Sequence, residues 1–394
     1  MGRPADDVVA DWIRQRAHPL TTSAPDAPAA DLAPLGDMLR SAEVVGLGRP
    51  THGSRELTEH THRILRFLVE RLGFRSLAVE DDWAKGVELD EHVRTGAGDP
   101  RELLTDAWPH YRTEELLAVI GWMRARNQRH PDDPVRFVGV DVSGAQGLAY
   151  DAVADHVRRN APERLAELAA HHDALRGGVG AEDAVEVAER AHDLVAELPS
   201  APGRALALQH ARAIVGHHAT AAADDHIEEL EPRMADNLVQ WHEHTGHKIV
   251  YWGGCTHTCV GHSRQVRFST GASGSHRNAG SRLRERFGTG YVSVGMTFGR
   301  GTVQPGGTPQ PVPSPPQGFT EAVLSRVDLA QYALDLRTGG PPAVRDWLTS
   351  PAKLRLFGPS PDPVDDPSHM TGGPLAELFD VLVHTTRTGP VRYL

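Results

Sequence analysis

The stretch Glu43-Val-Val-Gly-Leu-Gly-Arg-Pro-Thr-His52-Gly-Ser-Arg-Glu56 constrains this chain more than any other. Val44, Val45 and Leu47 make a short apolar run punctuated by Gly46, Gly48 and Pro50, after which Leu57, Ile64, Leu65, Leu68 and Leu72 recur at helical spacing. That pattern spells strand, tight turn and helix. His52 falls in the turn just ahead of the helix N-terminus, where Gly53 or Ser54 can cap and where unpaired backbone N–H groups and the helix dipole act on it. A histidine so placed stays neutral, a state that suits a base.

The same alternation continues along the chain. Strands are predicted at residues 76–80, 135–141 and 248–252, and later at 291–297, 332–336, 354–357 and 380–384. Helices are predicted at 6–17, 31–40, 84–93 and 113–128. From 145 to 244 the pattern is helical for about a hundred residues, which antiparallel helical hairpins would satisfy. The segment 305–317 is too rich in proline and glycine for either element and reads as an extended loop. The fold class expected is α/β: a mostly parallel central sheet flanked by helices, with a large all-helical insertion forming a wall or lid over the site. Residues 1–144 and 246–394 are then the two parts of the catalytic domain and 145–245 the insertion.

Composition narrows the class. At 39% hydrophobic, the 394 residues can bury a substantial core, and no run reaches the roughly 18 apolar residues of a membrane span. The formal charge of −11 is spread without a basic block, which argues against nucleic acid as a partner. Two cysteines, Cys255 and Cys259, make no secreted disulfide framework. A soluble, cytoplasmic protein acting on a small molecule is expected, with oligomeric state unreadable. The scarcity of lysine (Lys85, Lys248 and Lys353 only) and the abundance of Ala, Gly, Pro and Asp suggest a high-GC bacterial gene.

Chemistry-bearing residues follow the first four strands. His52 follows the first, Glu80 and Asp141 end the second and third, and Cys255 and His257 follow the fourth. If those strands are parallel, all of these groups gather at one carboxyl-terminal sheet edge, the usual crevice of an open α/β fold. Cys255, His257, Cys259 and His262 admit a zinc reading, but their spacing matches no standard pattern, so no cofactor is expected and a divalent metal is the alternative. Trp108, Tyr111 and Trp241 are candidates to line an apolar pocket.

Gly48-x-x-Thr51-His52-Gly53-x-x-Glu56, Ala78-Val-Glu80-x-Asp82-Trp83, Gly139-Val-Asp141-Val142, Arg233-Met-Ala-x-Asn237, Trp252-x4-His257 and Phe379-Asp-Val-Leu-Val-His384 together resemble the erythromycin esterase family. The family hydrolyses the lactone of macrolide antibiotics. The resemblance implies water activated by histidine and glutamate, with His52, Glu80 and His257 as the catalytic set; Asp82, Trp83, Asp141 and Arg233 are the further candidates to bind substrate or shape the site.

Three positions depart from the family pattern. Arg49 stands where a glutamate follows the glycine, Thr61 where an arginine is usual, and Gly254 where the first histidine of a His-Asn-x-His motif belongs. Arginine cannot serve as a base but can clamp a carboxylate, phosphate or enolate oxygen, so Arg49 is expected to bind substrate. The expectation favoured by these changes is acid–base tailoring of a polyketide-like natural product, a dehydration, cyclisation or rearrangement. The alternatives are an ester or lactone hydrolase in which Glu56 or Glu59 replaces the missing glutamate, and a non-catalytic binding protein.

Overall fold

Runs of valine, leucine and aromatic residues buried on both faces are what a parallel sheet covered by helices demands, and they supply its centre here. The computed structural model describes residues 4–144, 147–261, 265–267, 273–274, 277–356, 369–371 and 373–394. One nine-stranded sheet contains His18–Pro19 (β1), Val44–Arg49 (β2), Phe74–Asp82 (β3), Arg136–Asp141 (β4), Lys248–Gly254 (β5), Tyr291–Val303 (β6), Gln310–Val312 (β7), Gln331–Asp335 (β8) and Val381–Thr388 (β9). Its order is β1-β8-β9-β6-β2-β5-β3-β4. From β9 to β4 every neighbour is parallel; β1, β7 and β8 are antiparallel additions. The mostly parallel sheet is thus the expected one.

Helices α1 (Pro4–Arg16), α2 (Ala33–Leu39), α3 (Arg55–Leu72), α4 (Trp83–Thr95) and α5 (Glu114–Arg129) occupy the first part of the chain. The apolar faces of α2, α3 and α5 close over one side of the sheet around Leu47, Val79, Phe137 and Trp252. Ser54 caps α3 by accepting from Leu57 N, and Gly73, at φ +77°, ends it in the left-handed conformation glycine favours.

The insertion is all-helical: α6 (Gly147–Asn160), α7 (Leu165–Arg176), α8 (Ala181–Glu197), α9 (Arg204–Ala222) and α10 (His226–Thr245). It has an apolar core of its own, including Val153, Leu168, Leu194 and Ile214. It walls the carboxyl-terminal edge of the sheet through polar bonds, with His217 Nδ1 on Ser143 O at 2.8 Å and Asn237 Nδ2 donating to Val140 O at 2.8 Å. Helix α10 then covers the second sheet face together with α11 (Ala279–Phe287).

Two sequence expectations change. Within 305–317, read as loop throughout, β7 pairs with the end of β6 that runs past β2. Pro311 is tolerated because β7 is an edge strand. Of the predicted strand 354–357, Leu354–Arg355 pairs in a separate small antiparallel sheet, and residue 357 lies outside the described residues. Among the described residues no helix is long and apolar enough to cross a membrane.

Helix α4 lies directly on the backbone of β4. A Cβ at Gly86 would stand 2.0 Å from Gly139 N, so no side chain fits without moving helix or strand. Gly86→Ala is therefore expected to destabilise the protein by about 2 kcal/mol, read as a lowered unfolding midpoint in urea.

Candidate active site

The parallel strands end in register at one edge. Arg49 of β2 lies opposite Gly254 of β5, Val79 of β3 opposite Trp252, and Asp82 of β3 opposite Asp141 of β4. A register shift between Val79 and Asp82 breaks the simple alternation of β3. The acidic run Glu80-Asp81-Asp82 is consequently buried along its whole length.

Glu80 faces β5. Its Oε2 accepts from Gly254 N at 2.6 Å and its Oε1 lies 3.2 Å from His257 Nε2. The other nitrogen of His257, Nδ1, lies 2.9 Å from Glu231 Oε1, and Glu231 Oε2 accepts from Ala279 N at 2.6 Å. The imidazole is thereby suspended between two buried carboxylates. Burial works against its protonation, but Glu231 and Glu80 outweigh burial and raise its pKa well above the ordinary 6.5. Burial likewise pushes Glu80 up, and the His257 charge and hydrogen bond, with help from His52 and Gly254, bring it far below the carboxylate range. An imidazolium held by two carboxylates is the resulting state.

His52 occupies the turn expected of it, partly exposed at the crevice. Its ring stacks on His110, with centroids 4.6 Å apart and planes 20° apart, and meets Tyr111 edge-on at 6.1 Å. Arg49 NH2 lies 2.9 Å from His52 Nδ1. Arg49 is only 2% exposed, and its guanidinium sits over the rings of Tyr111 and Trp252, at 5.0 and 4.8 Å from their centroids. Desolvation and the Arg49 charge hold the His52 pKa well below its ordinary value, against the pull of Glu80. The chain crosses the rim at Gln304-Pro305, where Pro305 O meets His110 Nδ1 at 3.0 Å. A Cβ on Gly53 would come within 2.1 Å of the Gln304 backbone, so this crossing requires glycine beneath it.

Asp82 and Asp141 extend the edge beyond Glu80. Asp82 Oδ1 caps α4 by accepting from Ala84 N and Lys85 N, and Asp141 Oδ1 accepts from Ser143 N and Ser143 Oγ. Among the described residues, the second oxygen of each is buried with no hydrogen-bond partner. Burial lifts Asp82 to about 7 and also raises Asp141. Asp81, held by the N–H groups of Asp82 and Trp108, is lifted to about 7 for the same reason.

His52, Arg49, Glu80 and His257 are thus brought together, with Asp82 and Asp141 beside them. Trp83 and Arg233 are not in this group. The Trp83 ring packs edge-on between His210 and Trp241. Arg233 pairs with Glu229 in a groove of about 580 Å³ that Val142, Asp193 and Gln240 also line. Glu231 and His110 went unread in the sequence. The signal for Glu231 was an acidic residue in helical phase with Leu230, Met234, Leu238 and Trp241, all buried on one face of α10.

Cys255 and Cys259 are buried in apolar surroundings, and His262 lies outside the described residues. Among the described residues, no group of three or more His, Cys, Asp or Glu side chains is arranged to hold a metal ion.

The family profile of erythromycin esterase matches residues 69–388. The chain belongs to the erythromycin esterase family. Erythromycin esterase type II of Escherichia coli is 29% identical over 132 residues, 34% of this chain and 31% of that protein, so the match spans about a third of this curated relative. A solved succinoglycan biosynthesis protein is 27% identical and superposes with a TM-score of 0.87 over 100% of both chains. An erythromycin esterase variant in its open conformation, 15% identical, superposes with a TM-score of 0.69 over 95% of this chain and 98% of that one, a likeness of fold.

The bridge has a pH signature. A raised His257 pKa stabilises the fold fully below 6.5 and loses that contribution as pH rises through the raised value. A depressed Glu80 stabilises above 4.5 and loses its contribution as pH falls through the lowered value. The bridge's contribution to stability is therefore expected to be level between the ordinary values of 4.5 and 6.5 and to decline as pH rises from 6.5 toward the raised His257 value. Glu231→Gln should cost about 3 kcal/mol at neutral pH and lower the His257 pKa, measured by urea unfolding and by NMR titration of the imidazole.

Proposed function

We propose that this member of the erythromycin esterase family hydrolyses a carboxylic ester or lactone of a natural-product small molecule by acid–base catalysis, with no serine nucleophile. The observation that carries the reading is the Glu80–His257–Glu231 bridge beside His52. Glu80 still has lone pairs free to accept a proton from water. As that water bonds to the carbonyl carbon, negative charge gathers on the carbonyl oxygen. The His257 and Arg49 cations, in a site largely closed to solvent, favour that charge. Glu80 then gives its proton to the departing alkoxide as the carbon–oxygen bond breaks.

The unpaired oxygens of Asp82 and Asp141 are the acceptors we assign to substrate hydroxyl or ammonium groups. No role at the reacting atoms is assigned to Trp83 or Arg233, since neither joins the group around His52. The cytoplasm suits two buried, reduced cysteines.

A second reading, proton transfer without hydrolysis in a dehydration, cyclisation or rearrangement, is favoured by one observation: a guanidinium stands against His52. A cationic neighbour suits an enolate as well as it suits a tetrahedral oxyanion.

Turnover of an ester and lactone panel in oxygen-18 water separates the two. One labelled oxygen in the product carboxylate is expected from hydrolysis, and turnover of a panel member into an unlabelled product identifies the non-hydrolytic reaction. Glu80→Gln should lower kcat by roughly 10²- to 10⁴-fold. With Glu80 depressed and His257 raised, kcat should be level across neutral pH and fall only in acid below the usual carboxylate range.

A further inference from the structure

We infer that Arg49 fixes His52 as the Nε2–H tautomer, making His52 a hydrogen-bond donor to negative charge on a substrate oxygen and removing it as the base. A guanidinium has five N–H bonds and no lone pair. At 2.9 Å from Arg49 NH2, His52 Nδ1 can therefore only accept, and a neutral imidazole that accepts at Nδ1 carries its proton on Nε2. Protonating Nδ1 would set one N–H against another.

Neither partner is free to leave this arrangement. Arg49 packs over the Tyr111 and Trp252 rings, which meet edge-on, and is nearly inaccessible to solvent. His52 is stacked on His110, itself fastened to the backbone at Pro305. Glu80, His110, His257 and the edge-on Tyr111 also face His52, and the two histidines and Arg49 oppose its protonation. A carboxylate at position 49 would do the reverse. It would accept from Nδ1–H and leave the Nε2 lone pair exposed as a base. The residue at 49 thus sets the polarity of His52, and Arg49 is a positioning residue that acts through the imidazole.

This assignment rests on the proposed carbonyl chemistry for its catalytic meaning, but its core is testable without substrate. Long-range proton–nitrogen correlation spectra of the nitrogen-15 histidine-labelled protein report which ring nitrogen is protonated. Wild type should show an unprotonated Nδ1 and a protonated Nε2, and should stay neutral at pH values where free histidine is charged. Arg49→Lys should keep the tautomer, whereas Arg49→Glu should move the proton to Nδ1. A wild-type Nδ1–H, or an unchanged tautomer in folded Arg49→Glu, overturns the inference whatever the enzyme turns over.

Activity supplies the second arm. His52→Ala should lose about 10²- to 10³-fold in kcat, and His52→Gln, which keeps an N–H donor but cannot act as a base, should recover about tenfold of that loss. Gln as inactive as Ala would show that His52 moves a proton, against the assignment. Absence of turnover on every ester would count against the proposed function and leave the spectral result standing.

Discussion

His257 between Glu80 and Glu231 is the interaction on which the site depends. It joins three parts of the chain that are distant in sequence: the end of β3, the single turn after β5, and α10 of the helical insertion. Each carboxylate also accepts a backbone N–H, from Gly254 and Ala279, so the bridge is anchored at both ends. Two carboxylates in a dry interior would repel and protonate without a cation between them. The imidazolium removes that conflict, and Arg49 supplies a second cation close by. Two positive and two negative groups can then share one buried crevice.

The charge balance gives the departures from the family pattern a common meaning. At position 49 the guanidinium contributes positive charge and turns the lone pair of His52 Nδ1 inward. At position 254 the missing imidazole leaves a bare backbone, and Glu80 comes close enough to accept from Gly254 N. A Cβ at Gly254 would stand in ordinary contact with Glu80 Oε2, at 3.5 Å, so position 254 lies directly beside the carboxylate. In the proposed chemistry the two changes move base character from histidine toward glutamate.

Much of this was legible in the sequence because the relevant signals were local. Strand, turn and helix at 44–72 follow from apolar periodicity and capping, and they place His52 without tertiary information. Strand–helix alternation implied parallel strands, and parallel strands put Glu80 and His257 at one edge. Arg49 is legible as a substrate clamp from its type and position, but its burial against Tyr111 and Trp252 depends on residues 62 and 203 positions away and on ring packing that periodicity cannot reveal. Trp83 and Arg233 sat in matching motifs, yet side-chain direction separates them from the crevice. Arg233 is two residues from Glu231, which on a helix turns it to a different face. The strand Gln310–Val312 was hidden because edge pairing tolerates the proline that argued for a loop.

Glu231 shows why the insertion cannot be treated as a wall alone. Its carboxylate is the strongest favourable influence on the charge of His257, and it comes from α10. Asn237 and Trp241 on the same helix bond to Val140 O and Ser76 Oγ, so the helix is registered against β3 and β4 along its length. Displacing α10 would take away Glu231, return His257 toward its ordinary pKa and leave Glu80 as a buried carboxylate without its cation. The ionisation state of the site is therefore coupled to the seating of the insertion. In this chain the bridge keeps its charges only while that one helix keeps its place on the sheet.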